Sequence, residues 1–214
     1  MIYPKYFKRF FDFIFALIAL IVLSPLMIIT AVMIRIKLGS PIFFVQERVG
    51  YHEQKFNLIK FRSMSNQCDS SGKLLPDEKR QTVFGRLLRK SSIDELPEMI
   101  NILKGEMSFV GPRPLLVSYL PLYNEEQRKR HNVRPGFTCI AAVKGRNILP
   151  WVERLALDTY YANHVSFKLD LWIVINTVLV VLLRKGSPDA SESSREPIEI
   201  ALKRGTNDED KRYY

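Results

Sequence analysis

Cysteine and histidine are scarce in this chain of 214 residues, which has two cysteines, Cys68 and Cys139, and three scattered histidines, His52, His131 and His164. There is no C-x-x-C pair and no histidine near either thiol, which excludes a zinc module and a disulfide-stapled scaffold. The two thiols read as reduced groups in a cytosolic body. Also missing are G-x-x-x-x-G-K-[ST], G-x-G-x-x-G and G-x-S-x-G, so no P-loop, dinucleotide fold or hydrolase elbow is encoded. The D-x-D pattern occurs only as Asp208-Glu209-Asp210, close to the C-terminus.

Acidic residues are few at the N-terminal end, where Asp12 is the one acid before Glu47. Overall 32 Lys and Arg stand against 22 Asp and Glu, a net charge of +10. Residues 187–214 hold seven acids and five bases, so the body is more basic than the whole. Such a balance suits nucleic acid, an anionic membrane face or a phosphorylated substrate. Nucleic acid is disfavoured, because no helix-turn-helix or interleaved aromatic-basic motif is present.

What the chain does have is an uncharged run of 22 residues, Phe13 to Ile34. A helix of that length reaches across about 30 Å of hydrocarbon. It exceeds a signal-peptide core and lacks a small-residue cleavage site. Pro25 at its midpoint removes a helical hydrogen bond, and the Ser24 hydroxyl can satisfy a carbonyl so released. Lys5, Lys8 and Arg9 precede the run and Arg35 and Lys37 follow it, so both ends qualify for the cytoplasmic side. A helix broken at Ser24-Pro25 that dips in and returns satisfies both features, and a plain span remains the alternative. Asp12 reads as an interfacial residue paired with Lys8 or Arg9.

In the body, Ile42–Val49 and Lys55–Phe61 predict a short hairpin. Residues 65–82 read as a long mobile loop and Val83–Lys90 as a short basic helix. A helix is expected from Asp94 to Lys104, with Pro97 in its first turn and Leu96, Ile100 and Leu103 facing the core. The tract 107–114 is a rigid Gly-Pro loop carrying Arg113. Glu125–His131 reads as a charged helix. Residues 133–147 read as a turn, a buried strand and a second Gly turn presenting Arg146. Trp151–Val165 is expected to be helical, and Leu169–Leu183 an interfacial or core helix. An apolar stripe on that last segment could face lipid or a twin subunit, so a homodimer is an open expectation.

The carboxylate pair Asp94-Glu95 at a helix start would ordinarily be capping. Here Lys60, Arg86, Arg89 and Arg113 lie on segments able to converge on it. Carboxylates, a divalent cation and fixed arginines are the requirements of phosphoryl transfer, and a carboxylate can itself attack phosphorus.

These residues resemble a known family. Lys60-Phe61-Arg62-Ser63-Met64, Gly85-x-x-Leu88-Arg89, Asp94-Glu95-Leu96-Pro97, the run from Asn101 through Gly111-Pro112-Arg113-Pro114, and Arg134-Pro135-Gly136 resemble the bacterial sugar transferases. More narrowly they are similar to the small monotopic polyprenyl-phosphate phosphoglycosyl transferases of the protein-glycosylation type. The resemblance covers residues 6–185. It implies transfer of a sugar 1-phosphate from a UDP-sugar to undecaprenyl phosphate with release of UMP, by a ping-pong, Mg²⁺-dependent reaction. By motif match it implies Asp94 as nucleophile and Glu95 as its metal-binding partner. Lys60, Arg89 and Arg113 would bind phosphates, Pro112 and Pro114 would touch the uridine with Arg113, and Arg146 is a further candidate.

The implied architecture is α+β and mainly helical. Residues 1–38 would be a re-entrant, Pro-broken membrane helix hairpin in the inner leaflet of the bacterial inner membrane. Residues 39–186 would form a catalytic domain facing the cytoplasm, with a short β-hairpin and interfacial amphipathic helices. Residues 187–214 are expected to be a disordered tail, and no additional N-terminal multi-span domain is expected. After Arg134-Pro135-Gly136 the chain departs from the family pattern, with Cys139 where a Gly and Ala142 where a Gln is usual. An N-acetylated amino or diacetamido sugar is the expected cargo. The competing reading is a non-catalytic membrane-surface scaffold, against which the Asp94-Glu95 pair beside Lys60 and Arg113 argues.

Overall fold

The computed structural model describes residues 3–145, 149–182 and Ile198. Arg146 and, Ile198 apart, the expected tail lie outside the described residues. The architecture is α+β and mainly helical, as expected.

After a π-helical turn at Tyr3–Phe7, helix α1 runs from Lys8 to Lys37 and includes Pro25. The Pro25 nitrogen cannot donate to the Ile21 carbonyl, and the Ser24 hydroxyl donates to that oxygen instead, at 2.8 Å. The helix continues through the Ser-Pro step. Among the described residues α1 is the one helix long and apolar enough to cross a membrane. Ile21, Val22, Ile28, Ile29 and Ile36 on it are all more than 60% exposed, too apolar a surface for a helix meant to face water.

Contacts divide the chain into two units. One comprises residues 13–46 and 57–104. Its core is Ile34 from α1, Phe61 and Leu88, with Met27, Ala31, Leu38, Ile42, Phe84 and Ile93 packed around them. The expected hairpin is present as β1 (Phe43–Val49) and β2 (Lys55–Phe61), and its tip, residues 47–56, belongs to the other unit. The fully buried Asn101 side chain accepts from the Ile59 amide at 3.1 Å and donates to the Asn57 carbonyl at 2.8 Å, standing in for a third strand along β2. Arg62 donates to the Leu38 and Ser40 carbonyls and so ties the strand's end to the exit of α1.

The polar segment after β2 holds isolated bridges, Met64 with Gln81 and Cys68 with Leu74, and the one-turn helix α2 (Asp77–Arg80). Helix α3 (Val83–Lys90) is capped by Thr82, whose hydroxyl accepts from the Gly85 amide at 3.0 Å. The expected helix from Asp94 is divided. A 3₁₀ turn covers Ile93–Glu95, and helix α4 begins only at Glu98 and ends at Lys104. Starting after Pro97 changes the inward face, so Met99 and Ile102 are buried while Leu96, Ile100 and Leu103 are half-buried.

The other unit comprises residues 1–12, 47–56 and everything from 105 onward that is described. Strand β3 (Ser108–Val110) pairs in parallel with β4 (Gly136–Thr138), a pairing of short segments that no local periodicity announces. Helix α5 (Glu125–Arg128) starts with an Asn124/Gln127 capping box and continues as a 3₁₀ turn, Lys129–Asn132. Between β4 and Gly145, where no helix was expected, Cys139 caps a short helix α6 (Ile140–Lys144), its sulfur accepting from the Ala142 amide at 3.4 Å. Helices α7 (Trp151–Asn163) and α8 (Phe167–Leu182) follow. Val110, Ile140, Tyr161, Val165 and Ile173 form one core, and Tyr123, Leu155 and Ile198 another.

A polar cluster anchors the base of α1 in this unit. Asp170 accepts from Lys8 Nζ at 2.6 Å, from the Tyr3 hydroxyl at 2.7 Å and from the Tyr161 hydroxyl at 2.6 Å. Asp12 accepts from the Phe109 amide at 3.0 Å and feels the charge of Lys8. It is 5% exposed, so the residue expected at an interface is inside the fold.

Candidate active site

Four of the sequence-derived residues, Lys60, Arg89, Asp94 and Glu95, come together in the unit of residues 13–46 and 57–104. Each is placed by a local feature. Lys60 sits near the end of β2, held in register by Asn101 from α4. Arg89 occupies the last turn of α3, and its Nε donates to the Ser63 hydroxyl at 2.8 Å. That approach depends on Gly85, where a Cβ would lie 1.8 Å from the Ser63 carbonyl oxygen. Asp94 lies in the 3₁₀ turn that follows Ser92, a non-glycine residue in the left-handed region at φ 55°. Such a conformation costs on the order of 1–2 kcal/mol and is typical of positions where the fold imposes a geometry.

The electrostatics are concentrated. Lys60 Nζ stands 2.6 Å from Glu95 Oε1 and 3.1 Å from Glu98 Oε1. Asp94 is buried, and its carboxyl is pushed up from 3.8 to about 6. Burial is the first cause and the neighbouring Glu95 charge the second, while Lys60 and Arg89 pull the other way. A carboxylate in that setting is basic enough to attack and ionised enough to do so near neutral pH.

Two contributors were not singled out in the sequence. Glu98, 4% exposed, shares Lys60 with Glu95; its spacing of four from Asp94 and three from Glu95 is a signal that a helical register would have exposed. Ser63 lies inside the Lys60-to-Met64 run and orients Arg89.

No three His, Cys, Asp or Glu groups among the described residues form a ready metal cluster. The donor set still suits Mg²⁺, which is commonly held by one or two carboxylates with the remaining positions filled by water and substrate phosphate oxygens. Asp94 and Glu95 are two hard oxygen donors close enough for one charge to raise the other's pKa, a repulsion that a cation would relieve.

The Gly-Pro-Arg-Pro loop belongs to the other unit. Gly111 and Gly136 touch back to back, for a Cβ on Gly136 would lie 2.1 Å from the Gly111 nitrogen and one on Gly111 would lie 2.3 Å from the Arg134 carbonyl. This close approach is why Gly111, just after β3, and Gly136, at the start of β4, are glycines. Pro112 and Pro114 are buried and Arg113 between them is exposed, so the loop projects one cation from a fixed backbone. Arg146 lies outside the described residues, and Ser24 and Pro25 lie within α1.

A family model described as bacterial sugar transferase matches residues 3–184. The chain is 48% identical over 189 residues to the uncharacterised sugar transferase EpsL of Bacillus subtilis, a match that covers 88% of this chain and 94% of that protein. It is 38% identical over 197 residues to the exopolysaccharide production protein ExoY of Sinorhizobium fredii, covering 84% and 87% of the two chains. It is 37% identical over 188 residues to the UDP-N-acetylgalactosamine-undecaprenyl-phosphate N-acetylgalactosaminephosphotransferase of Aeromonas hydrophila. That match covers 84% of this chain and 44% of the longer relative.

Proposed function

The chain belongs to the bacterial sugar transferase family, and from that premise we propose that it moves a sugar 1-phosphate from a UDP-sugar to undecaprenyl phosphate, releasing UMP and forming undecaprenyl-diphosphate-sugar. Donor and acceptor follow the name of the Aeromonas relative. The observation that carries the mechanism is the buried Asp94, its pKa lifted to about 6 beside Glu95, Lys60 and Arg89.

The reaction runs in two displacements. An Asp94 carboxylate oxygen attacks the β-phosphorus of the UDP-sugar, the bond to the bridging oxygen breaks, and UMP departs with that electron pair. A phosphate oxygen of undecaprenyl phosphate then attacks the same phosphorus, the acyl–phosphate bond breaks, and the Asp94 carboxylate is restored. Lys60 and Arg89 hold phosphate oxygens, with Arg113 as a further phosphate ligand and Pro112 and Pro114 against the uridine. Mg²⁺, held by Glu95 and Asp94, would offset diphosphate charge.

The helix α1 is read as re-entrant at Ser24-Pro25, which keeps the catalytic body on the cytoplasmic face of the inner membrane. The basic residues at both ends of α1 support this reading. An N-acetylated amino sugar is the preferred cargo, in keeping with the Aeromonas name. The ExoY name favours exopolysaccharide assembly over the protein glycosylation suggested by the motifs.

The test is UMP release from a panel of UDP-sugars with undecaprenyl phosphate and Mg²⁺, beside mass spectrometry of the protein incubated with donor alone. Donor alone should yield a phosphosugar adduct on the peptide containing Asp94, absent in Asp94→Ala and Asp94→Asn. Asp94→Asn turning over within about tenfold of wild type would overturn the nucleophile assignment.

A further inference from the structure

Proline donates no N–H, so the tract around Arg113 cannot join a ladder through Pro112 or Pro114, and donors elsewhere set its backbone. The Gly136 amide donates to the Pro112 carbonyl at 2.9 Å and the Val49 amide to the Leu115 carbonyl at 3.2 Å. Arg48 Nη1 reaches the Pro114 carbonyl at 3.4 Å. The shortest of these contacts is made to Arg113 itself, whose carbonyl accepts from Arg130 Nη2 at 2.7 Å.

Arg130 lies in the 3₁₀ turn after α5 and is 2% exposed. Its Nη2 and Nε also donate to Asp158 Oδ2 of α7, at 2.7 and 3.2 Å. Asp158 is 5% exposed, and the guanidinium carbon lies 5.8 Å from the centre of the Tyr123 ring. A buried ion pair adds little net stability, because desolvating two charges offsets their attraction, and well-packed apolar residues often serve as well. What apolar residues could not supply is a donor of fixed direction to the Arg113 carbonyl. A lysine could not supply both contacts either, since it lacks the planar fork of donors.

We propose that Arg130, held by Asp158, is a positioning residue for Arg113: the buried pair fixes the peptide from which the exposed Arg113 side chain projects toward the donor's phosphates. This rests on the reading of Arg113 as a phosphate ligand. Arg130, itself buried, acts through that peptide.

Equilibrium titration with UDP, on full-length protein in detergent, tests it through a double-mutant cycle. Arg113→Ala and Arg130→Lys are each expected to weaken UDP binding about tenfold, equivalent to about 1.4 kcal/mol. KM for the UDP-sugar should rise in step. The double variant should bind no more weakly than Arg113→Ala alone, because repositioning a side chain that is absent has no effect. A general structural role would instead weaken binding in both backgrounds. Thermal melts accompany each variant, and if Arg130→Lys does not fold, Asp158→Asn takes its place in the same cycle. Additive losses, or unchanged UDP affinity in a folded Arg130→Lys or Asp158→Asn protein, overturn the positioning role. If Arg113→Ala binds UDP as wild type does, the phosphate reading of Arg113 falls, and the positioning role falls with it.

Discussion

At the scale of single residues, a carboxylate that burial deprives of hydration becomes more basic, and Asp94 is held in that state by burial and by the charge of Glu95. The consequence for stability has a definite sign. The folded pKa, about 6, lies above the ordinary 3.8, so the folded chain binds this proton more tightly than the unfolded chain does. Stability is therefore lost as pH rises from about 4 to about 6, and the penalty persists above that window. Its upper bound is about 3 kcal/mol for two pKa units. Asp94→Asn is expected to raise Tm by several degrees at pH 7.5 and by almost nothing at pH 4, while turnover disappears; a melt series across pH checks both. The rate of the wild-type enzyme should fall about tenfold per unit below pH 6, as the carboxylate is protonated. The clustered side chains Lys60, Arg89, Asp94 and Glu95 were legible as motif residues. The burial that tunes Asp94 was not, because two adjacent acids read as an exposed helix cap until packing removes the water around them.

At the scale of elements, glycine contacts decide where the motifs can meet. A Cβ on Gly111 would lie 2.3 Å from the Arg134 carbonyl and 3.0 Å from the Gly136 nitrogen, both backbone atoms with no room to yield. Gly111→Ala should thus separate β3 from β4, lower stability by about 2 kcal/mol or more, and raise KM for the UDP-sugar by displacing the Arg113 loop. Denaturant melts and initial rates on the same preparation measure both effects. The other element with a sharp expectation is α1. Pro25→Ala restores the missing donor to the Ile21 carbonyl and removes the steric reason to bend, so it should favour a spanning helix. In a Cys68→Ser background, an added Phe7→Cys label site should stay protected from an impermeant reagent outside the membrane with Pro25 present and become reactive with Pro25→Ala. Unchanged sidedness would defeat the role given to Pro25, and a label site already reactive with Pro25 present would defeat the re-entrant reading. Strand positions β1 and β2 and helix α3 followed from local pattern, and a buried strand was expected within 133–147, where β4 lies, whereas β3, its pairing with β4, and α6 did not follow. Three-residue strands and a five-residue helix carry too few residues for periodicity to register.

At the scale of the whole molecule, the first residues of the chain and the start of α1 are bonded to residues far along it. Tyr3 and Lys8 donate to Asp170, and Asp12 accepts from the Phe109 amide, so residues 3–12 belong to the same unit as α7 and α8. A chain truncated to residues 39–214 would leave Asp170, 6% exposed, with no cation beside it, a loss worth about 3–5 kcal/mol for a broken buried pair. Such a truncation should fail to melt cooperatively even in detergent, while a variant altered only at exposed apolar sites of α1 should retain a transition. A truncated protein with wild-type Tm would show the anchor to be energetically independent.

Some properties of this protein are local in sequence and were therefore readable from it. The uncharged run with its midpoint proline, the basic residues flanking it and the spacing of Asp94, Glu95 and Pro97 each express chemistry within a few residues, which pattern and charge reveal. The tertiary structure alone decided which groups share a buried environment across long separations. Asn101 reaching β2, Glu98 sharing Lys60, Asp12 accepting from Phe109 and Arg130 bridging Asp158 to the Arg113 carbonyl are such cases. In each, a polar side chain must find a partner because folding has taken water away, and the partner's identity depends on chain topology that one-dimensional spacing does not carry.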